Sequence, residues 1–279
     1  MRNFNKYLVL FVLVLITGSV FSQNVLDGVY IQENSIKRKY IPYTNLREAD
    51  VMWSKRVWRT IDLREKINQP LYFPTTPIAD RKSLFDVIKT ALNAGQLTAY
   101  NNPVQDDEFK FPMTKSEVEG VFTKIDTSYV EDPTTGNMVA TPTKTELGAQ
   151  DIKQYWIKED WFFDKQRSVM DVRIIGLAPL KEARTESGEF KGYTPLFWIY
   201  FPEARPVFAN AEVYNRPNDA ERRTLEDVFW KRQFGSFIRK ESNVYDRSII
   251  EYKTGLDALL EAERIKENIF NVEHDLWHF

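Results

Sequence analysis

The chain has no cysteine in 279 residues, yet it opens with a segment suited to export. An exported chain without disulfides must be held together by its own core or by its neighbours. The export reading rests on Arg2 and Lys6, an unbroken apolar run from Tyr7 to Ile16, a break at Thr17-Gly18-Ser19, and modest side chains at Val20-Phe21-Ser22. That order places a signal-peptidase cut between Ser22 and Gln23. A spanning helix needs about 20 apolar residues, roughly twice this run. No second stretch is long enough to span a bilayer, and without cysteine there is no acylated anchor. The expectation is a soluble protein outside the cytoplasm, beginning at Gln23.

Removing residues 1–22 leaves 36 basic against 40 acidic side chains. So mild a negative balance argues against nucleic acid or anionic lipid as the main partner. The lack of cysteine excludes thiol catalysis and cysteine-based zinc sites. The remaining residues can bury a large core. Aromatic residues make up 14% of the chain, including 7 Trp. Aromatics dominate interface energetics, so such a chain suits assembly with others.

Residues 23–44 show no helical period and read as an extended arm, followed by a globular domain over 45–279. A helix is expected from Asn45, with Leu46, Ala49, Trp53, Val57 and Ile61 as its apolar stripe. A second runs from Ser83 to Gly95, and Thr114 with Glu117 forms a capping box. Phe122–Val130 and Met138–Thr145 flank a turn cluster at Asp132–Asn137, which predicts a hairpin. Tyr155–Phe163 and Ser168–Ile175 read as strands, Thr185–Glu189 as a turn, and Leu196–Phe201 as a strand covered on both faces. Asn218 then caps a helix to about Lys240, and a last helix carries Ile249, Tyr252, Leu256, Leu259 and Leu260. The fold class is α+β: N-terminal helices, central antiparallel hairpins, C-terminal helices. One echo, Asp50-Val51-x-Trp53 against Asp227-Val228-x-Trp230, fits either a duplicated helix or two amphipathic helices converging on one stripe.

The catalytic inventory is thin. His274 and His278, four apart, could hold a metal on one helix face. The zincin pattern is absent, however, because Asp275 rather than glutamate follows the first histidine. The pair reads as a polar, aromatic tail, with no metal and no cofactor expected. No nucleophile elbow, P-loop or Gly-x-Gly-x-x-Gly occurs. Acidic pairs such as Glu159-Asp160 and Asp106-Asp107-Glu108 have nothing to fix their separation and read as structural or solvated. Asp132–Asn137 lacks the alternating carboxylates of a calcium loop. Trp156, Trp161, Phe162 and Phe163, mixed with Lys158, Glu159 and Asp160, suit a protein interface, a glycan-binding platform or the alternating core of a sheet. Trp156, Trp161 and Phe162, with Val29, Tyr30 and Tyr40 of the arm, are the candidate interface residues.

Three words of sequence go further. They are Asp50–Arg59 with its continuation Asp62-Leu63-Arg64-Glu65-Lys66-Ile67-Asn68; Trp161–Met170 with Arg173-Ile174-Ile175-Gly176; and Glu241–Ile249. They resemble the GldN (PorN) family of gliding-motility proteins of Bacteroidota, and they span nearly the whole mature chain. The resemblance implies a periplasmic, non-enzymatic component of the type IX secretion system. It would form a ring of many copies with the outer-membrane lipoprotein GldK (PorK), at the inner face of the outer membrane, and meet the periplasmic part of the GldL–GldM motor. It supplies no active-site residue. The alternative is an exported protein that binds or hydrolyses cell-wall glycans.

Overall fold

The computed structural model describes residues 39–276 except 79–80, 102–103, 105–106, 132–137, 186, 216–217 and 219–220; within 124–143 it describes backbone alone. The signal segment with its Ser22–Gln23 cut, most of the arm, Asp106, the turn cluster at 132–137 and His278 therefore lie outside the described residues.

The segment expected to be the first helix is a strand, β1 (Val51–Asp62). Its stripe of Trp53, Val57 and Ile61 has a spacing of four, which is a multiple of the strand period as well as close to the helical one. Trp53, Val57, Trp58, Thr60 and Ile61 are β-prone, and a long partner strand is available to complete the hydrogen bonding. The chain continues through α1 (Gln69–Tyr72), α2 (Leu84–Asn93), β2 (Ala99–Tyr100), α3 (Lys115–Phe122), β3 (Thr123–Glu131) and β4 (Met138–Glu146). Next come β5 (Ile152–Asp164), β6 (Val169–Arg184), β7 (Phe190–Pro195), β8 (Trp198–Tyr200), α4 (Phe201–Ala209), β9 (Glu212–Val213) and β10 (Arg223–Thr224). The last elements are α5 (Leu225–Trp230), β11 (Phe237–Glu241) and α6 (Leu256–Asp275).

Several expectations hold. Ser83 caps α2 by accepting from the Asp86 N–H. Thr114 and Glu117 form the capping box of α3. The β3–β4 and β5–β6 hairpins form as read, and the fold is α+β with an antiparallel sheet in the order β11-β1-β5-β6-β8-β2, β7 pairing the far end of β6.

Three helical or strand expectations need correction. Leu196–Phe201 is a strand only over β8, because Phe201 opens a helix with proline in its first turn, where proline costs no hydrogen bond. The helix expected from Asn218 to Lys240 shrinks to α5. A nearer capping box, Thr224 with Asp227, starts it; Arg232 at φ 52 lies just beyond its end. Phe237–Glu241 then pairs with β1. The last helix begins at Leu256, after Gly255 at φ 57, so Ile249 falls in a separate short turn. The echo therefore joins a strand to a helix, and neither the duplicated helix nor the converging pair exists.

Alternation sorts β1 into two faces. On one, Ile61 joins the main core with Ile157 and Leu177 under α2, α4 and α5, while Val57 and Ile238 pack under Ala262, Ile265 and Ile269 of α6. On the other, Trp58 packs with Ala178 and Trp198, and Phe109 lies against them. Gly176 is required here: a Cβ would come within 2.6 Å of the Phe109 ring.

The words that carried the resemblance are divided between the strands β1, β5 and β6 and the loops beside them. Asp62 accepts from Arg64 and Gln154. Asn68, fully buried, ties the Asp62 carbonyl to Gly235. Asp164 accepts from Gln166 and Arg167 across the β5–β6 turn.

Candidate interaction surface

The expected interface residues go to different places. Trp156 and Trp161 alternate onto opposite faces of β5. The Trp161 indole donates to Glu159 (3.0 Å), and Phe162 is only 3% exposed, with the Arg173 guanidinium 5.3 Å from its ring centre. Phe162 is thus a packing residue and presents nothing to a partner. Its neighbours have alternating polar contacts, which the mixed composition of the stretch left undecided. Val29 and Tyr30 lie outside the described residues.

Tyr40 belongs to the described end of the arm, and there the arm meets its own chain. Arg205, 1% exposed, lies 5.0 Å from the Tyr40 ring, 4.1 Å from Tyr43 and 4.9 Å from Trp230. It donates to Glu226 and to the Ile41 carbonyl. Burial pushes the Tyr43 phenol up to about 12, more than Arg205 pulls it down.

The acidic pairs are engaged in ion pairs. Glu159 accepts from Arg232 and Asp160 from Arg56, on opposite faces of the sheet. Asp107 takes Lys158 and the Trp58 indole. His274 stands 3.8 Å from Asp275. Among the described residues, no group of three His, Asp or Glu is placed to hold a metal.

The surface that sequence reasoning missed is the corner formed by β11, the turn after it and α6. Asn243 organises the turn: its amide donates to the Glu241 and Arg247 carbonyls (2.9 and 2.8 Å), and its oxygen accepts from the Tyr245 and Arg247 N–H groups. The loop so held keeps Val244 98% and Tyr245 75% exposed. Two adjacent apolar side chains therefore stand in water at the tip of a hydrogen-bonded turn.

On α6 the leucines named from the sequence lie on the outer side. Leu256, Leu259 and Leu260 face solvent, as does Phe270, while Ala262, Ile265 and Ile269 are buried. Apolar residues on both sides of a helix were the available signal; the helix period alone cannot say which side the sheet takes.

A family model described as "Gliding motility associated protein GldN" matches residues 46–278. No curated protein matches the chain. The matched span contains β1, the sheet and the whole C-terminal corner.

Proposed function

Because the chain belongs to the GldN family of gliding-motility proteins, we propose that it is a non-catalytic subunit of the type IX secretion and gliding machinery. In this reading it builds a periplasmic ring with the outer-membrane lipoprotein GldK (PorK) and other copies of itself, and touches the motor through GldM. The family match carries the reading. The export-like N-terminus supports a place in the periplasm at the inner face of the outer membrane. The ordered, outward Val244-Tyr245 pair and the exposed leucines of α6 support a role in assembly.

The glycan-hydrolase alternative asks for two acids facing one cleft. Glu159 and Asp160 instead point to opposite faces, each held by an arginine, which favours assembly. The test is co-purification of GldK with the tagged protein from envelopes. GldK is expected to follow the wild type. Replacing Val244 and Tyr245 together with serine is expected to cut recovery about tenfold, with stability changed by about 0.5 kcal/mol or less. A wild-type protein recovered as a lone monomer sinks the assembly reading; undiminished GldK with the double variant removes this corner from the contact.

A further inference from the structure

Arg239 is the extra residue of a β-bulge. Lys240 pairs with Trp58 and Ile238 with Arg59, so Arg239 has no opposite number on β1. Bulges re-aim side chains, and this one lays the Arg239 guanidinium 3.7 Å from the ring centre of Trp156, two strands inward. Lys240 beside it lies 4.6 Å from the Trp58 ring. Arg239, Lys240, Val104 and Phe111 line an open groove of about 720 Å³ along β11, which is an outer strand of the sheet.

The cations around the groove differ in one respect. Arg56 has Asp160, Lys240 has Asp246, Lys110 has Glu108, and the buried Lys158 has Asp107. Arg239 has no hydrogen bond or ion pair among the described residues. Burial pulls its pKa down to about 10, with Glu251 and Asp107 only partly offsetting this from a distance.

We propose that Arg239 is a receptor for a carboxylate carried by an acidic peptide segment of a partner chain, with the exposed Phe111 and Val104 of the same groove receiving an apolar neighbour of that carboxylate. A guanidinium stacked on an indole is held in one plane with its N–H edge free, and that edge matches a carboxylate in two parallel bonds. In a partly desolvated groove such bonds are stronger than in water. A phosphate shares the charge chemistry, but the exposed Phe111 and Val104 in the same groove suit a peptide side chain.

The inference rests on geometry separate from the ring assembly, and its test uses the purified full chain without partners. Tryptophan fluorescence is titrated with acetyl-Glu-Leu-Glu-amide, with its Gln-Leu-Gln counterpart, and with inorganic phosphate. A saturable change is expected with the acidic peptide, weaker by about tenfold or more for the neutral peptide and for Arg239→Met. Arg239→Lys, which keeps charge but not the fork, is expected to bind less well than wild type and serves alone if the methionine variant fails to fold. The proposal is overturned by no saturable signal, by phosphate or the neutral peptide binding as well as the acidic one, or by a folded Arg239 variant that binds as wild type does.

Discussion

Arg205 and Arg239 both stack on tryptophan, on opposite sides of this molecule's chemistry. Arg205 is closed in. Glu226 reaches it at 2.6 Å, the Ile41 carbonyl accepts from it, and Tyr40 and Tyr43 of the arm flank it with Trp230. Arg239 has a comparable ring beneath it, but no acid among the described residues pairs with it; Glu251 and Asp107 act on it only from a distance. A buried charge whose partners lie in the same chain holds that chain's segments together. A partly buried charge without one leaves part of the same chemistry unused, and so available to another molecule.

Breaking the closed site should have the largest effect. Glu226→Ala leaves the Arg205 guanidinium buried without its carboxylate, and a loss of about 3–5 kcal/mol is expected in urea unfolding. Burial already pushes the Glu226 pKa up, against the pull of Arg205, and its Oε2 has no partner, so the pair is itself costly to bury. Replacing both members, as Arg205→Met with Glu226→Leu, is therefore expected to cost much less than the single change. Equal losses for the single and the double variant would show that packing, rather than charge, holds this site.

At the open site the expected effect on stability is small. Arg239→Met removes an uncompensated, partly desolvated cation and keeps contact with Trp156, so a change within about 1 kcal/mol of either sign is expected. A loss approaching that of Glu226→Ala would make Arg239 structural and erase the contrast.

The smallest effect concerns alkaline pH. The Tyr43 phenol is held above its ordinary value of 10.0, at about 12, chiefly by burial. Above pH 10 the unfolded chain releases this proton while the folded chain keeps it, so stability falls as pH rises towards 12. Tyr43→Phe keeps the ring on Arg205 and removes the proton. Its unfolding midpoint should decline less between pH 10 and 11 than that of the wild type. Parallel declines would place the phenol in water.

Much of the fold was legible where local chemistry acts alone. The Ser83 and Thr114 caps, the two hairpins and the turn at Thr185–Glu189 follow from short-range hydrogen bonding that tertiary contacts did not overrule. The failures share a cause. Trp53, Val57 and Ile61 satisfy two periods at once, and only pairing with β5, from Val51 opposite Asp164 to Asp62 opposite Gln154, selected the strand. Phe237–Glu241 was read into a helix because its partner β1 lies far away in the chain. For the site, Trp156 and Trp161, two of the candidate interface residues, lie on opposite faces of β5. Phe162 takes the core alternative, and Arg239, Val244 and Tyr245 were not singled out.

The sequence by itself determined the capped helices, the local turns, the α+β class and the family, because these depend on neighbouring residues or on words read directly. Tertiary structure alone decided which periods became strands, which side of α6 faced the sheet, and which arginine found a carboxylate. Those outcomes depend on residues brought together from distant parts of the chain, as Arg239 and Trp156 are across two strands. No local pattern encodes such a meeting, because its free energy arises only when the sheet has formed.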